Sequence, residues 1–105
     1  MILVTTDAVP GREIERVIGL VRGNTVRGAP ASDDLRAWFA NVVGGEIVEY
    51  TKLLAQCREQ ALDRMVAEAR SRGADAIVGM RFVSSEIAEG AAEILAYGTA
   101  VKLRG

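Results

Sequence analysis

Metal ligands are scarce in this sequence. Cys57 is the only cysteine, and there is no histidine. Structural zinc sites usually take four thiolate or imidazole ligands, so we expect no soft-metal site within one subunit. A symmetric oligomer could still bring one Cys57 from each subunit together. Because Cys57 lies on the apolar stripe of a predicted helix, however, we expect it to pack as a small hydrophobic residue.

Carboxylates near the ends of predicted elements are the remaining candidates for a hard cation. They are Asp7, Glu46, Glu49 and Asp75. Oxygen ligands of this kind suit Mg²⁺ or Ca²⁺, but carboxylates at element ends more often cap backbone groups or stay in water. The sequence therefore predicts no metal ligands.

Groups for covalent or acid–base catalysis are also missing. Without a histidine, no histidine base is available to the hydroxyls of Ser84, Ser85 and Thr99. Three glutamates surround a predicted hairpin, where we expect a solvated edge rather than an acid–base pair: Glu86, Glu89 and Glu93. The Gly44-Gly45 pair lacks the pattern of a phosphate-binding loop. We predict no catalytic residues, no cofactor and no enzymatic activity.

Tyr50 and Asp75 are the two polar residues most worth following. Tyr50 lies near the start of a long predicted helix, on its apolar stripe, where a buried phenol needs a hydrogen-bond partner. Asp75 lies between the end of that helix and an apolar strand, where a carboxylate can accept backbone N–H bonds. The favoured interpretation is that both tie loops down. The alternative is that they face a ligand pocket between subunits.

The long helix that would position them is predicted from about Glu46 to Arg72. Apolar residues recur at spacings of three and four, at Ile47, Tyr50, Leu54, Cys57, Ala61, Met65 and Ala69. Gly73 is a typical C-terminal stop. A shorter helix is predicted before it, with Ser32 as N-cap and Leu35, Trp38, Phe39 and Val42 on one face.

Four strands are predicted around these helices, near residues 2–4, 14–21, 76–83 and 92–103. Turns are predicted at Arg22-Gly23-Asn24 and in the Glu86–Gly90 region. One face of the last strand is built of small residues, which permit close approach of a helix or another subunit: Ile94, Ala96, Gly98 and Ala100. The predicted fold is a single α+β domain, residues 1–105, with a small mixed or antiparallel sheet packed by one long and one short helix.

Bulk composition limits the partners. The formal net charge is −1, whereas nucleic-acid binders usually show a clear basic excess, so no nucleic acid is expected. No apolar run is long enough to cross a membrane, and the N-terminus lacks the features of a signal peptide. With no disulfide framework, these observations favour the cytoplasm.

Several short stretches, in order and spacing, resemble the YbjQ-like family of small bacterial proteins, whose members carry a heavy-metal-binding name. The stretches are Thr5-Thr6, Ile18-Gly19 with Val21 and Gly23, Gly44-Gly45 with Tyr50, Glu68-Ala69, Gly73 to Gly79, and Gly98-Thr99-Ala100-Val101. The resemblance implies a dodecin-like subunit assembled as a homopentameric ring. It implies no defined activity.

Hydrophobic area points to self-association as well. The wide stripe of the long helix and the small-residue sheet face exceed what one thin layer can cover, and burial of a large aliphatic side chain is worth about 1.5–3 kcal/mol. Head-to-tail contacts that close give a ring. We expect a homo-oligomeric ring that binds a small ligand or metal ion. The alternatives are a scaffold that docks another protein on the small-residue face and, third, an enzyme using Tyr50 and Asp75.

Overall fold

The computed structural model describes residues 1–28, 48–88 and 91–105. Its elements are β1 (Ile2–Leu3), β2 (Ile14–Gly28), α1 (Val48–Ser71), β3 (Ala76–Ala88) and β4 (Ala91–Leu103). The predicted short helix, from Ser32 to Val42, lies outside the described residues, as does the Gly44-Gly45 pair. The class is α+β: one long helix covers a four-stranded mixed sheet.

The sheet has the order β1-β3-β4-β2. Strand β1 is parallel to β3, and the other two pairs are antiparallel. The N-terminal segment continues along β3 after β1 ends, because the Val4 N–H donates to the Ile77 carbonyl and the Met80 N–H donates to the Val4 carbonyl. At the other end of the strand order, β2 forms an edge of the sheet.

Strands β2 and β3 are longer than the sequence indicated. The predicted turn at Arg22-Gly23-Asn24 is wrong, since these residues lie inside β2 and pair with Tyr97, Ala96 and Leu95. Glu86, placed in a turn by the sequence, pairs with Ala92 as part of β3. A Gly-Asn pair is a local turn signal, and here it is overridden by continuous pairing with β4.

Helix α1 packs on the small-residue face of the sheet. Its residues Cys57, Ala61, Met65 and Ala69 recur every four positions and are buried against Val21, Ile77, Ala96 and Ala100. The face that the sequence offered as a docking surface for another protein is thus the core of this chain, a correction to the scaffold hypothesis. The close approach that small side chains permit is used by the chain's own helix.

The helix ends as predicted. Gly73 has a φ of +77°, its N–H donates to the Arg70 carbonyl, and the Ala74 N–H donates to the Ala69 carbonyl. This pair of bonds is a Schellman motif, in which a glycine takes the left-handed conformation. The turn that follows is short, so Asp75 is held between the end of α1 and the start of β3.

Among residues 1–28, 48–88 and 91–105, the opposite face of the sheet is only partly covered. At one end the N-terminal segment supplies Val9 to a second apolar cluster with Ala76, Val78, Val101 and Leu103. Beyond that cluster, apolar side chains that alternate with helix-facing residues point into solvent. We call them the open face: Val17, Leu20, Val26 and Val83.

Candidate functional site

Asp75 joins the end of α1 to the last strand. Its Oδ2 accepts a hydrogen bond from the Leu103 N–H at 2.9 Å, and its Oδ1 lies 3.4 Å from the Lys102 Nζ. The hydrogen bond from the Leu103 N–H is the main cause that lowers the pKa of Asp75. Burial opposes it, and Lys102 adds smaller lowering effects. Lys102 also donates to the Gly73 carbonyl at 3.2 Å. This is the loop-tying arrangement that the sequence favoured.

Tyr50 lies in the first turn of α1, and its side chain is outside the described part of the structure. Helix α1 has 24 residues, which correspond to about 36 Å. Tyr50 and Asp75 therefore stand at opposite ends of the helix. The fold of one subunit does not bring them together, so a shared pocket would have to form between subunits.

A soft-metal site does not fit the described residues. Cys57 is 3% exposed, in the apolar core under α1. Among residues 1–28, 48–88 and 91–105, no three side chains of the His, Cys, Asp and Glu types come together in a way that could hold a metal ion. One subunit thus offers a single inaccessible thiol where zinc takes four ligands.

A shallow cleft opens between α1 and β3, with a volume of about 160 Å³. It is lined by Leu54, Arg58, Phe82, Val83, Ser84 and Ile94. Pockets for small organic ligands are usually about 300–1,000 Å³. The cleft of one subunit is therefore too small to enclose such a ligand.

A third polar arrangement lies at the edge of β2, and the sequence analysis did not single it out. Arg64 and Glu68 on one flank of α1, and Arg72 directly after its end, all contact the backbone at the free edge of β2. We call these three side chains the edge row. Their spacing of four residues, next to the buried stripe of Ala61, Met65 and Ala69, is a signal in the sequence. The sequence alone does not show which strand these three side chains contact, because that depends on the order of strands in the sheet.

The open face is the second feature of interest. Val17 is 62% exposed and Leu20 59% exposed, although both are aliphatic residues in a strand of the sheet. Arg22 lies between Leu20 and Asn24 on the same face, and its guanidinium has no ion pair or hydrogen bond within the described residues. A face of this composition is suited to contact with another protein surface.

Comparison with known proteins places these features in a family. The family model described as "Putative heavy-metal-binding" (YbjQ_1) matches residues 1–104. The chain belongs to the YbjQ-like family. Relatives called UPF0145 protein are similar over nearly their whole length. The one from Archaeoglobus fulgidus is 52% identical over 104 residues, covering 99% of this chain and 96% of its own. The one from Fervidobacterium nodosum is 54% identical with the same coverage. That from Photobacterium profundum is 52% identical over 98% of this chain and all of its own.

A solved structure supports the fold of this YbjQ-like chain. The crystal structure of a protein with unknown function of the DUF74 family, from Pediococcus pentosaceus, matches with a TM-score of 0.67. The match covers 99% of this chain and 98% of that one at 17% sequence identity. It therefore shows a shared fold. Within the described residues, no helix is both long and apolar enough to cross a bilayer.

Proposed function

We propose that this protein works as a closed homo-oligomer, in which copies of the chain cover one another's open face. The observation that carries the proposal is the exposure of Val17 at 62%, Leu20 at 59% and Val26 at 52% on one face of the sheet. Each such side chain contributes about 1.5–3 kcal/mol when it is fully buried. A contact that buries several of them on both partners can offset the cost of association.

The shape of the subunit supports the same proposal. Its Cα radius of gyration is 17.3 Å, whereas a compact domain of about 100 residues has a value of about 13 Å. The extents are 54 × 23 × 16 Å, so the molecule is a thin two-layer plate. The open face of this plate has no covering layer among the described residues, and a second copy would supply one. The formal net charge of −1 means that copies do not repel one another strongly.

A ring of five subunits is the specific form that we propose, and its support is the resemblance to dodecin-like, ring-forming subunits. Heterologous contacts close into a ring when a whole number of the rotations between neighbouring subunits adds up to a full turn. The mass of the native protein tests this form. With a subunit of 11.2 kDa, native mass spectrometry is expected to give five times that mass.

A charge placed on the open face tests the contact itself. Leu20→Glu is expected to lower the native mass to that of one subunit, because a carboxylate would have to be buried in an apolar interface. Ala67→Glu is the matched control: it makes the same change of charge at an exposed position of α1, and it should keep the wild-type mass. A wild-type protein that weighs one subunit at micromolar concentration would disprove the proposal.

We propose a second role, the binding of a small ligand or metal ion, for the assembled ring rather than for one subunit. The family description favours a metal role, and the described residues of one subunit supply no ligand set. Groups from neighbouring subunits would have to converge, and Tyr50 with Asp75 are our candidates for an intersubunit pocket. Metal analysis of the purified oligomer, with the Leu20→Glu variant as control, tests this role. Metal that is retained equally by both would contradict it.

A further inference from the structure

The free edge of β2 is occupied by side chains of the chain's own helix. Strand β2 has no neighbouring strand on the side away from β4 among the described residues. Backbone groups on that side would be exposed in a bare edge strand. Here the Ile18, Leu20 and Asn24 carbonyls and the Arg22 N–H all face it, and each has a partner on α1 or on Arg72 directly after it.

The edge row contacts four backbone groups of this edge, each with a side-chain group of the opposite kind. Arg72 Nη1 donates to the Leu20 carbonyl at 2.9 Å and Nη2 donates to the Ile18 carbonyl at 3.1 Å. The Arg22 N–H donates to Glu68 Oε2 at 3.3 Å, and Arg64 Nη1 donates to the Asn24 carbonyl. Arginine donors thus face three of the edge carbonyls, and the Glu68 carboxylate accepts from one edge N–H.

The match follows from the geometry of the two elements. Four residues of a helix rise about 6.0 Å, and two residues of a strand rise about 6.6–6.8 Å. Side chains at every fourth helix position can therefore meet every second strand residue over a few steps. The helix lies close enough because Gly23 has no side chain: a methyl group there would overlap the Ala61 carbonyl oxygen and the Met65 amide nitrogen.

We propose that the edge row guards β2 against strand pairing, and that the surface it guards is complementary to the β2 edge of a second copy. Exposed edge strands pair readily with other chains, and proteins block them with charged side chains. A second copy is the fitting partner because β2 pairs with β4 without interruption from Gly19 to Gly28, so its edge is long and regular. Two such edges related by a two-fold axis pair in an antiparallel manner.

This inference goes beyond the proposed ring, which uses the open face and leaves the edge covered. The double variant Arg64→Met/Arg72→Met tests it, since methionine keeps a long apolar stem and removes the donors. The matched control is Arg58→Met/Arg70→Met, which makes the same change at two exposed arginines of α1 that have no bond to β2 within the described part of the chain. Native mass and amide hydrogen exchange at residues 18–24 are measured over a hundredfold range of concentration.

The Arg64→Met/Arg72→Met variant is expected to contain at least twice as many subunits as the wild-type protein. Its backbone amides at residues 18–24 are expected to exchange more slowly as the protein concentration rises. The control should keep the wild-type mass. Wild-type mass at every concentration, with faster exchange at 18–24, would overturn the proposal, because the row would then only fasten the helix. If the double variant loses its helical circular dichroism, the single variant Arg64→Met, at one end of the row, decides by the same two measurements.

The two proposals can fail separately. The native mass of the wild-type protein alone tests the proposed ring. The ratio of the native mass of Arg64→Met/Arg72→Met to that of the wild type tests whether the edge row prevents strand pairing. When Arg64→Met/Arg72→Met is combined with Leu20→Glu, the native mass is still expected to be twice that of Leu20→Glu alone. A monomeric wild-type protein with a dimeric guard variant would therefore disprove the ring and support the guard.

Discussion

At the scale of single residues, the Asp75 carboxylate makes the stability of the fold depend on pH. Its pKa is lowered, chiefly by the hydrogen bond from the Leu103 N–H. A lowered pKa in the folded state means that the ionised form stabilises the protein above about pH 4, and that this contribution is lost as the pH falls through the folded-state value. The side chain is 38% exposed, so solvent screens the Lys102 contribution.

We therefore expect Asp75→Asn to lower the free energy of unfolding at pH 7, with a difference from wild type that shrinks as the pH falls below about 4. Urea unfolding at a series of pH values measures this. Asp63→Asn, at an exposed position of α1, serves as control. A difference that stayed constant down to pH 2 would show that the carboxylate charge is not what Leu103 and Lys102 recognise.

The Cys57 thiol gives a second residue-scale prediction. It is 3% exposed beneath α1, so a thiol reagent can reach it only when the structure opens. We expect it to react at least about 100-fold more slowly in the native protein than in denaturant. Ser85→Cys in a Cys57→Ala background is the exposed comparison and should react at once. Rapid native labelling of Cys57 would instead indicate an accessible thiol and would reopen a metal role.

At the scale of elements, the contact between α1 and β2 depends on Gly23. A methyl group at this position would collide with helix backbone, which cannot swing aside as a flexible side chain would. We expect Gly23→Ala to cost about 3 kcal/mol of unfolding free energy. Gly105→Ala, with open space around it, should cost nothing measurable. Equal stabilities in urea would mean that α1 does not lie on β2 at this point.

Gly23 also shows how far sequence reasoning reaches. The period of α1, its stop at Gly73 and the last strand were predictable, because helix periodicity and capping are local properties. The Arg22-Gly23-Asn24 stretch was predicted as a turn from residue types that normally make turns. Its glycine is needed instead for close packing of a helix about 40 residues further along the chain, and no local pattern reports that.

At the scale of the whole molecule, assembly through the open face links stability to concentration. If unfolding separates the subunits, a tenfold rise in concentration adds roughly 1 kcal/mol per subunit, which is about 4–8 °C in Tm for a chain of this size. Leu20→Glu should show no such dependence. A wild-type Tm that stays constant from 1 to 100 μM, measured by calorimetry, would contradict obligate assembly.

Some features of the candidate site could likewise be predicted from neighbouring residues in the sequence, whereas others depend on the arrangement of the whole sheet. The position of Asp75 after the helix stop could be predicted from its neighbours in sequence, and so could its bond to a backbone N–H. The edge row could not, because Arg64, Glu68 and Arg72 are ordinary charged residues until β2 is known to be the edge strand. The open face, too, depends on how far the N-terminal segment extends over the sheet.

The parallel pairing of β1 with β3 has a consequence for the order of folding. Ile2 pairs with Ala76, so this contact closes a loop of more than 70 residues, whereas β3 and β4 are neighbours in the chain. Loop closure over a longer stretch costs more chain entropy, and distant contacts therefore tend to form late. The β3–β4 hairpin and α1 can assemble first, and the amino terminus then docks last, sealing Val9 over the second apolar cluster.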